Sequence, residues 1–543
     1  MPITHPNLHL TKIPGAIPAR SGQVSPGDLQ DICRVVQNGG GRLVALWGSD
    51  ERIQNAGYAL HLALVTEKGL ICLSVPLSAA QPGYPDISAI FPAAERMQRA
   101  AYDLLGIYPE GVEQRKWLRH GAWDRGSFPL RKDFVYARPH LGSSLRSPPP
   151  EGEEANVHSP AENGMKSNQI EADDYPFVQV EGQGVHEIAV GPVHAGIIEP
   201  GHFRFSVVGD KTLRLEERFG YTHKGIEKRF ESLDVRQAAR LAGRVSGDST
   251  VAYAWAYAMA AESIADVTPP DRALWLRALF LERERIANHL GDLGMLGNDV
   301  ALAFGFAQFW ILKEQVLRNN GLLFGHRYLM DRIIPGGVSV NLAESGKQTL
   351  LEECAMLERE VRMLRGIYEE HAGMQDRFIG AGRVEPKLAA QLGLCGLAGR
   401  ASSQTWDARV QFPCAPYDKL DVRMATYRNG DVAARVIVRF DELFESLRLQ
   451  RAILANLLHD DILSAPLEKL PARRFGAGMV EGWRGEVMVA IHTDADGKLA
   501  RVHPHDPSWQ NWPVLEHAVM GNIVPDFPLI NKSFNLSYSG HDL

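Results

Sequence analysis

Residues Leu141 to Asp174, LGSSLRSPPPEGEEANVHSPAENGMKSNQIEADD, limit the architecture more than any other stretch. They are rich in serine, proline, glycine and acidic side chains and carry almost no large apolar ones. Such a segment cannot bury enough surface to offset the entropy of ordering it. It reads as a flexible linker, residues 141–175, between a first unit, 1–140, and a second, 176–543. At 543 residues the chain is in any case too long for one ordinary core.

Outside the linker the balance is that of a soluble globular protein, 45% hydrophobic and 23% charged. The net charge of -7 and the lack of a basic stripe argue against nucleic acid as a partner. The uncharged apolar runs Val251 to Ala261 and Ala301 to Leu312 fall short of the roughly 20 residues that a membrane-spanning helix needs. Membrane contact is therefore expected through partner subunits. The amino terminus lacks the charged-then-apolar pattern of an export signal. Cys33, Cys72, Cys354, Cys395 and Cys414 are scattered, which predicts buried free thiols in a reducing cytoplasm and no iron-sulfur cluster held by this chain alone.

In the first unit, the apolar runs Arg42 to Trp47 and Leu70 to Val75 predict strands of a small mixed sheet. A helix is expected over Ala89 to Ile107, with Met97, Ala101, Leu104 and Leu105 on one face and Glu95, Arg96 and Asp103 off it. In the second unit, Phe203 to Val208 and Thr212 to Glu216 form a hairpin around Gly209-Asp210-Lys211, and Gly485 to His492 and Lys498 to His503 form another. Thr268-Pro-Pro-Asp271 starts a long helix on which Leu274, Leu281, Ile286, Leu290 and Leu293 share an apolar side. Glu282, Arg285 and His289 lie together on another, where an ion pair is expected. A second long helix covers Leu350 to Glu370. The fold class is α+β: a small mixed α/β domain, a linker, and a mainly helical domain with antiparallel hairpins at its edge.

Glu95-Arg96, Tyr102-Asp-Leu-Leu-Gly-Ile107 and Pro129-Leu-Arg-Lys-Asp-Phe134 together resemble the 30 kDa subunit of respiratory complex I, with Met97 and Leu105 in place of a glutamate and a phenylalanine. In the second unit three blocks follow in order: Gly191-Pro-Val-His194 through Glu199-Pro-Gly-His202-Phe-Arg-Phe205, then Tyr221-Thr-His-Lys-Gly-Ile-Glu-Lys228, then Arg244-Val-Ser-Gly-Asp-Ser249. This order resembles the large subunit of group 4 nickel-iron hydrogenases, the formate hydrogenlyase and hydrogenase-4 kind, and the related 49 kDa subunit of complex I. The agreement continues through Asp376 to Gly382, Gly430-Asp-Val432 with Arg435 and Arg439, and Gly521-Asn-Ile523 with Asp526. Taken alone, Phe219 to Glu231 reads as a basic, solvated helix start; its place in this order gives it to the resemblance.

The resemblance implies a first domain that docks and braces its neighbours without redox chemistry. For the second it implies a four-thiolate metal site, C-G-x-C near residue 246 and C-x-x-C near the carboxy terminus. Those positions hold Ser246, Ser249, Ser537 and Gly540. Serine hydroxyls are hard and neutral and do not bridge soft metals, so hydrogen activation is not expected. In complex I the same place is a quinone headgroup pocket, but the Asp-Tyr pair and the histidine of that pocket fall on Ser246-Gly247 and Pro200 here.

Glu199 resembles the proton-passing glutamate of the hydrogenase R-x-E-G-H motif, with Pro200 interposed. Candidate catalytic residues are Glu199, His202 and Asp248, with Ser246, Ser249, Asp407, Arg409 and Ser537 as binding residues and no metal ligand. Glu199 is expected to lie buried beside the serines, and both it and Asp248 equally suit helix caps or arginine pairs. The resemblance further implies that no cofactor is bound by this chain, that a 4Fe-4S cluster sits in a partner, and that a quinone is one acceptor. The implied partners are an iron-sulfur small subunit, a ferredoxin-like subunit and antiporter-like membrane subunits. Electrons would derive from NADH or ferredoxin, and the chain would lie peripherally on the cytoplasmic side of the inner membrane. The alternative is a non-catalytic scaffold whose emptied pocket is filled by apolar side chains.

Overall fold

The computed structural model describes residues 5–54, 56–112, 115–119, 123, 126–134, 175–194, 198–458 and 462–543. The expected linker, Leu141 to Asp174, lies outside them.

The chain opens with β1 (Thr11–Ile13), β2 (Ala19–Gln23), α1 (Leu29–Asn38), β3 (Arg42–Asp50), β4 (Tyr58–Thr66) and β5 (Gly69–Leu77). The strands form one sheet in the order β1-β2-β5-β4-β3, with β2 parallel to β5 and the other pairs antiparallel. Period-2 alternation gives the sheet two apolar faces. Leu60, Leu62 and Leu64 with Ile71, Leu73 and Val75 pack towards α1 and towards α2 (Ala94–Leu105). Val44, Ala45, Trp47, Ala63 and Cys72 face the other way, into the core of the second half.

The helix α2 is shorter than expected and ends at Gly106, whose φ of 79° only glycine adopts freely. Arg96 and Asp103, placed off its apolar face, are nonetheless buried. Arg96 pairs with Glu217 at 2.8 Å and Glu516 at 2.6 Å, and Asp103 accepts backbone N–H groups from Trp117, Leu118 and Arg119. Periodicity sees only the helix, not the charged partners that come to cover it.

Around α2 stand the short parallel strands β6 (Gly83–Pro85) and β7 (Tyr108–Glu110). The second half begins with the antiparallel sheet of β8 (Val185–Val190), β9 (His202–Val208) and β10 (Lys211–Arg218), as the hairpin signal predicts. Then come α3 (Ile226–Phe230), α4 (Val235–Ala242), α5 (Thr250–Ala265), α6 (Asp271–Asp299) and α7 (Ala303–Phe324). A two-residue ladder, β11 (Ile333–Ile334) with β12 (Gly337–Val338), precedes α8 (Glu344–Glu370). Four short helices follow, α9 (Ala372–Phe378), α10 (Pro386–Leu392), α11 (Gly396–Ala401) and α12 (Ala408–Gln411), before α13 (Val432–Asn456).

The last sheet, β13 (Phe475–Glu481), β14 (Glu486–Thr493) and β15 (Leu499–His505), is followed by α14 (Ser508–Val519), α15 (Phe527–Phe534) and α16 (Ser539–Asp542). This sheet does not lie at an edge, as expected of the hairpins, but in the interior. Gly476 and Gly478 on β13 let α5 close onto the strand, since a Cβ at either would meet Ala260 O at 2.4 Å or Ala256 O at 2.2 Å. A helix that is apolar all round, as α5 is, needs cover on every side.

The N-terminal sheet is stitched to this core. Arg42 pairs with Glu486, Arg501 Nε donates to Gly48 O at 2.8 Å, and Lys132 Nζ donates to Ala500 O at 2.6 Å. Among the described residues no helix is long and apolar enough to cross a membrane. The mixed α+β organisation is as the sequence predicts.

Candidate functional site

Ser246 to Ser249 form the turn between α4 and α5, and Ser537 to Gly540 follow α15, which ends at Asn535 in the left-handed region (φ 47°). The fold brings these turns together across 291 residues, with Ser246 Oγ 2.9 Å from Ser537 Oγ. Gly540 N donates to Ser537 Oγ at 2.9 Å.

Between the two turns sits a side chain that the sequence did not single out. Arg484, from the tight turn joining β13 to β14, reaches Asp248 with Nη1 at 2.8 Å and Nη2 at 2.5 Å. Its Nη1 also donates to Ser249 Oγ at 3.3 Å, and its Nε donates to Asn535 O. The guanidinium lies over the Trp483 ring, 3.9 Å from its centroid. Asp248 further accepts the Ser246 hydroxyl at 2.8 Å. Burial pushes the Asp248 carboxyl up, but the Arg484 guanidinium and the Ser246 hydroxyl outweigh it and hold the group below the usual carboxylate range. Of the alternatives open for Asp248, the structure selects the arginine pair.

The other candidates do not all join this cluster. Glu199 is exposed rather than buried, and its link to the site is Ser539 N, which donates to Oε2 at 3.1 Å. The loop carrying it is rich in glycine and proline and has no periodicity from which burial can be read. His202 is buried, but Arg204 Nε donates to its Nε2 at 3.4 Å, so its Nδ1 donates to Gly191 O at 3.1 Å. Both ring nitrogens are engaged on the β8–β9 side, away from the serines.

Asp407 and Arg409 pair with each other at 2.7 Å inside a different cluster. There Arg409 also reaches Glu282 at 3.0 Å, while Arg400 binds Glu442 and Glu481, each at 2.7 Å, and Arg285 binds Glu442 at 2.7 Å. His289 Nε2 lies 3.3 Å from Glu442. Tyr417 and Ser446 hydroxyls donate to Glu282 at 2.6 Å. Arg285 is thus ion-paired on a packed helix, as expected, but as part of a wholly buried network. Burial and the neighbouring Asp407 push the Glu481 carboxyl up to about 7, against the pull of Arg400.

Tyr221 to Lys228 is no solvated helix start. Thr222 N and Oγ donate to Asp542 Oδ2 at 3.0 and 2.7 Å, and Lys224 Nζ donates to Val245 O at 2.9 Å. The segment anchors the carboxy terminus beside the Ser246 turn.

A soft metal centre does not fit this frame. The four positions offer three hydroxyls and no side chain. A Cβ on Gly540 would stand 2.5 Å from Asp506 Oδ2 and 2.9 Å from Ser537 Oγ. All five cysteines are free and buried. Burial pushes Cys33, Cys72 and Cys414 up to about 12, Cys354 to about 11, and Cys395 well above the usual thiol range, all against thiolate formation. Among the described residues no three His, Cys, Asp or Glu side chains are grouped to hold a metal ion.

Behind Asp248 a cavity of about 20 Å³ is lined by Glu284, Asn288 and Lys313. Glu284 receives Val251 N at 2.7 Å and Ala252 N at 3.2 Å, capping α5 from another helix. Burial nevertheless pushes its carboxyl up to about 8. The folded protein then binds a proton that the unfolded chain releases near its usual value, so stability falls as pH rises from about 4.5 to 8. Glu284→Gln is expected to flatten that slope by on the order of 2–4 kcal/mol between the two ends, read from urea midpoints across the range.

Residues 22–140 match the family described as respiratory-chain NADH dehydrogenase, 30 Kd subunit, and residues 299–475 match the 49 Kd subunit. The second match begins after the Ser246 turn and ends before Ser537. Formate hydrogenlyase subunit 5 of Escherichia coli is 29% identical over 509 residues, 93% of this chain and 85% of that protein. The carbon monoxide-induced hydrogenase of Rhodospirillum rubrum is 29% identical over 64% of this chain and 97% of its own length. A component of the NADH-quinone oxidoreductase of Bacteroides thetaiotaomicron is 26% identical over 83% of this chain and 84% of its own. A chain from the archaeal membrane-bound sulfane sulfur reductase shares the fold, with a TM-score of 0.63 at 24% identity over 66% of this chain and 99% of that one. The chain joins a complex I 30 kDa-type domain and a 49 kDa-type domain in one polypeptide, and it is similar over most of its length to formate hydrogenlyase subunit 5 and hydrogenase-4 component G of Escherichia coli.

Proposed function

We propose that this chain is a peripheral subunit of a membrane complex related to complex I and the energy-converting hydrogenases, and that it works without a nickel-iron centre. In this reading electrons arrive from an iron-sulfur cluster in a partner and pass to a quinone or another acceptor beside the Ser246 turn. The carrying observation is the content of the four ligand positions. Ser246, Ser249, Ser537 and Gly540 supply no thiolate, and the Arg484 guanidinium is bonded to both turns where soft ligands would otherwise face a metal.

The chain's own residues have a definite part in such a transfer. The Asp248-Arg484 pair is neutral overall and holds the turn that carries the exposed Gly247 in place, beside which an acceptor would bind. Glu199, exposed and bonded to Ser539 N, exchanges protons with solvent at the same rim.

A second reading, a non-catalytic scaffold, is favoured by how closely the site is packed, with a cavity of about 20 Å³ at Glu284 beside it. The expected filling for that role was apolar; the observed filling is an ion pair and hydroxyls. The two readings separate in the intact complex purified through a tag on this chain. Metal analysis is expected to find iron from partner clusters and no nickel. With a low-potential donor, a soluble ubiquinone analogue is expected to be reduced, and Asp248→Asn to slow this tenfold or more without loss of assembly. A cluster-loaded complex that reduces no quinone would assign the scaffold role, and stoichiometric nickel would sink the proposal.

A further inference from the structure

The face of the N-terminal sheet that meets the second half is apolar at one end and polar at the other. One row of directly paired residues on it runs from Trp47 on β3 through His61 on β4 and Ser74 on β5 to Gln23 on β2. The next row runs from Cys72 through Ser21 to Thr11 on β1. Residues paired in this way share one face of a sheet. At the β3 end Trp47 and its neighbours Ala45 and Ala63 are buried in the core of the second half. Towards β2 and β1 the rows turn to hydroxyls and an amide, and Gln23 and Thr11 are exposed.

At this change of character a cleft of about 550 Å³ opens between the sheet and the β13–β14 ladder. That is the size of a small-molecule site, and the junction between two packed units is a common place for one. Rings from both sides make its closed end. His61 stacks on Trp47 with centroids 5.3 Å apart, while Phe475 and His492, paired across β13 and β14, meet at 4.7 Å. His492 meets His61 at 4.5 Å and so joins the two pairs across the seam. Burial pushes both imidazoles down, His492 to about 3, so both are uncharged. His492 Nε2 is buried and has no hydrogen-bond partner in the protein, a state that costs free energy until something pairs with it.

The lining also selects the charge of an occupant. Among the described residues it contains no lysine or arginine, and Glu51 is its one carboxylate. Glu51 is held in place by Ser49 Oγ, which donates to Oε1 at 2.9 Å and lies 2.8 Å from His61 Nε2. A phosphate or carboxylate would meet a like charge and no guanidinium or ammonium group. A flat ring that carries an ammonium group would meet rings on one side, a carboxylate for its charge, and the hydroxyls of Ser21 and Ser74 for its N–H groups.

We propose that this seam cleft binds a small aromatic amine, its ring against the Trp47, His61, His492 and Phe475 wall and its cation towards Glu51. The walls come from both halves of the chain, so an occupant also fastens one half to the other. The site is separate from the Ser246 turn and rests on neither reading of that turn.

The test is equilibrium dialysis of the full chain against tryptamine and, separately, indole-3-acetate, the same ring with the opposite charge. Tryptamine is expected to bind once per chain with a dissociation constant of about 1 mM or below, the range open to so small a ligand, and indole-3-acetate at least tenfold more weakly. Glu51→Gln is expected to weaken tryptamine at least fivefold without weakening indole-3-acetate. Ser74→Trp, which fills the floor of the cleft, is expected to abolish tryptamine binding. No saturable uptake of tryptamine up to about 10 mM overturns the site, and equal binding of the two probes overturns the charge assigned to its ligand. Tryptamine binding unchanged in Glu51→Gln, or in a Ser74→Trp chain that folds, places the amine elsewhere and overturns the proposal. Should Ser74→Trp fail to fold, Glu51→Gln alone decides.

Discussion

Arg400→Met is expected to lower the unfolding free energy by about 3–5 kcal/mol, the range for breaking a buried ion pair from one side. Arg400 is 1% exposed and binds two carboxylates at once, Glu442 and Glu481. Without it Glu442 keeps Arg285, but Glu481 keeps only Ala408 N, at 3.1 Å, and Asp407 presses on it as a like charge. Glu481 then protonates fully, and the desolvated Asp407 loses part of its compensation. The shift in urea midpoint measures this. Adding Glu481→Gln to Arg400→Met should recover part of the loss, because the buried carboxyl left without its arginine, which costs free energy to protonate, is gone; purely additive losses would show that the network is not coupled. A loss under about 1 kcal/mol for Arg400→Met would mean that water reaches the cluster.

The second large effect concerns the emptied frame. Gly540→Ala is expected to destabilise by about 1–3 kcal/mol through overpacking. The atom that its Cβ would strike, Asp506 Oδ2, cannot easily move. It receives the Tyr253 hydroxyl at 2.7 Å, and the other oxygen of the same carboxylate receives Ser508 N at 2.8 Å. Restoring cysteine at 246, 249, 537 and 540 is therefore expected to yield a less stable chain that retains less than one nickel in ten molecules on dialysis. Thermal melting and metal analysis decide it. A quadruple variant that loads nickel fully at unchanged melting temperature would show that only the thiolates were missing and that Arg484 and Asp506 yield.

Much of the fold is legible in the sequence because its signals are local. The hairpins β9–β10 and β14–β15 follow from alternation around Gly209 and Gly497, and α6 from its Pro-Pro-Asp start. The burial of α6 is not legible in this way. Its periodicity sets Glu282, Arg285 and His289 apart from the leucines and predicts an ion pair there, but it does not show that these three, and Arg283 beside them, are fully buried. Their partners, Glu353, Arg409 and Glu442, lie 70 to 157 residues away, at distances where charge patterning carries no information.

The site divides the same way. Motif order brings Ser246, Ser249 and Ser537 to one place, and the fold does join Ser246 to Ser537. Arg484 was missed because it is an ordinary residue in a hairpin turn; the one available hint was its setting in Gly482-Trp-Arg-Gly485, a turn with more side chain than a tight turn needs. Asp407 and Arg409 pair with each other in the Arg400 cluster and not at the Ser246 turn, which sequence does not reveal, since two charges one residue apart in a short helical turn look alike whether they face a ligand or one another.

The stitching of the N-terminal sheet onto β14 and β15 bears on why one polypeptide carries both parts. Arg42 with Glu486, Arg501 with Gly48 O, and Lys132 with Ala500 O are contacts of an interface that would hold as two separate molecules. The R. rubrum relative aligns across 97% of its own length to 64% of this chain, too short a match to carry both parts in full. The covalent tie then contributes dosage rather than adhesion. It raises the effective concentration of one part around the other and guarantees one copy of each per assembly, whatever the relative rates of their synthesis.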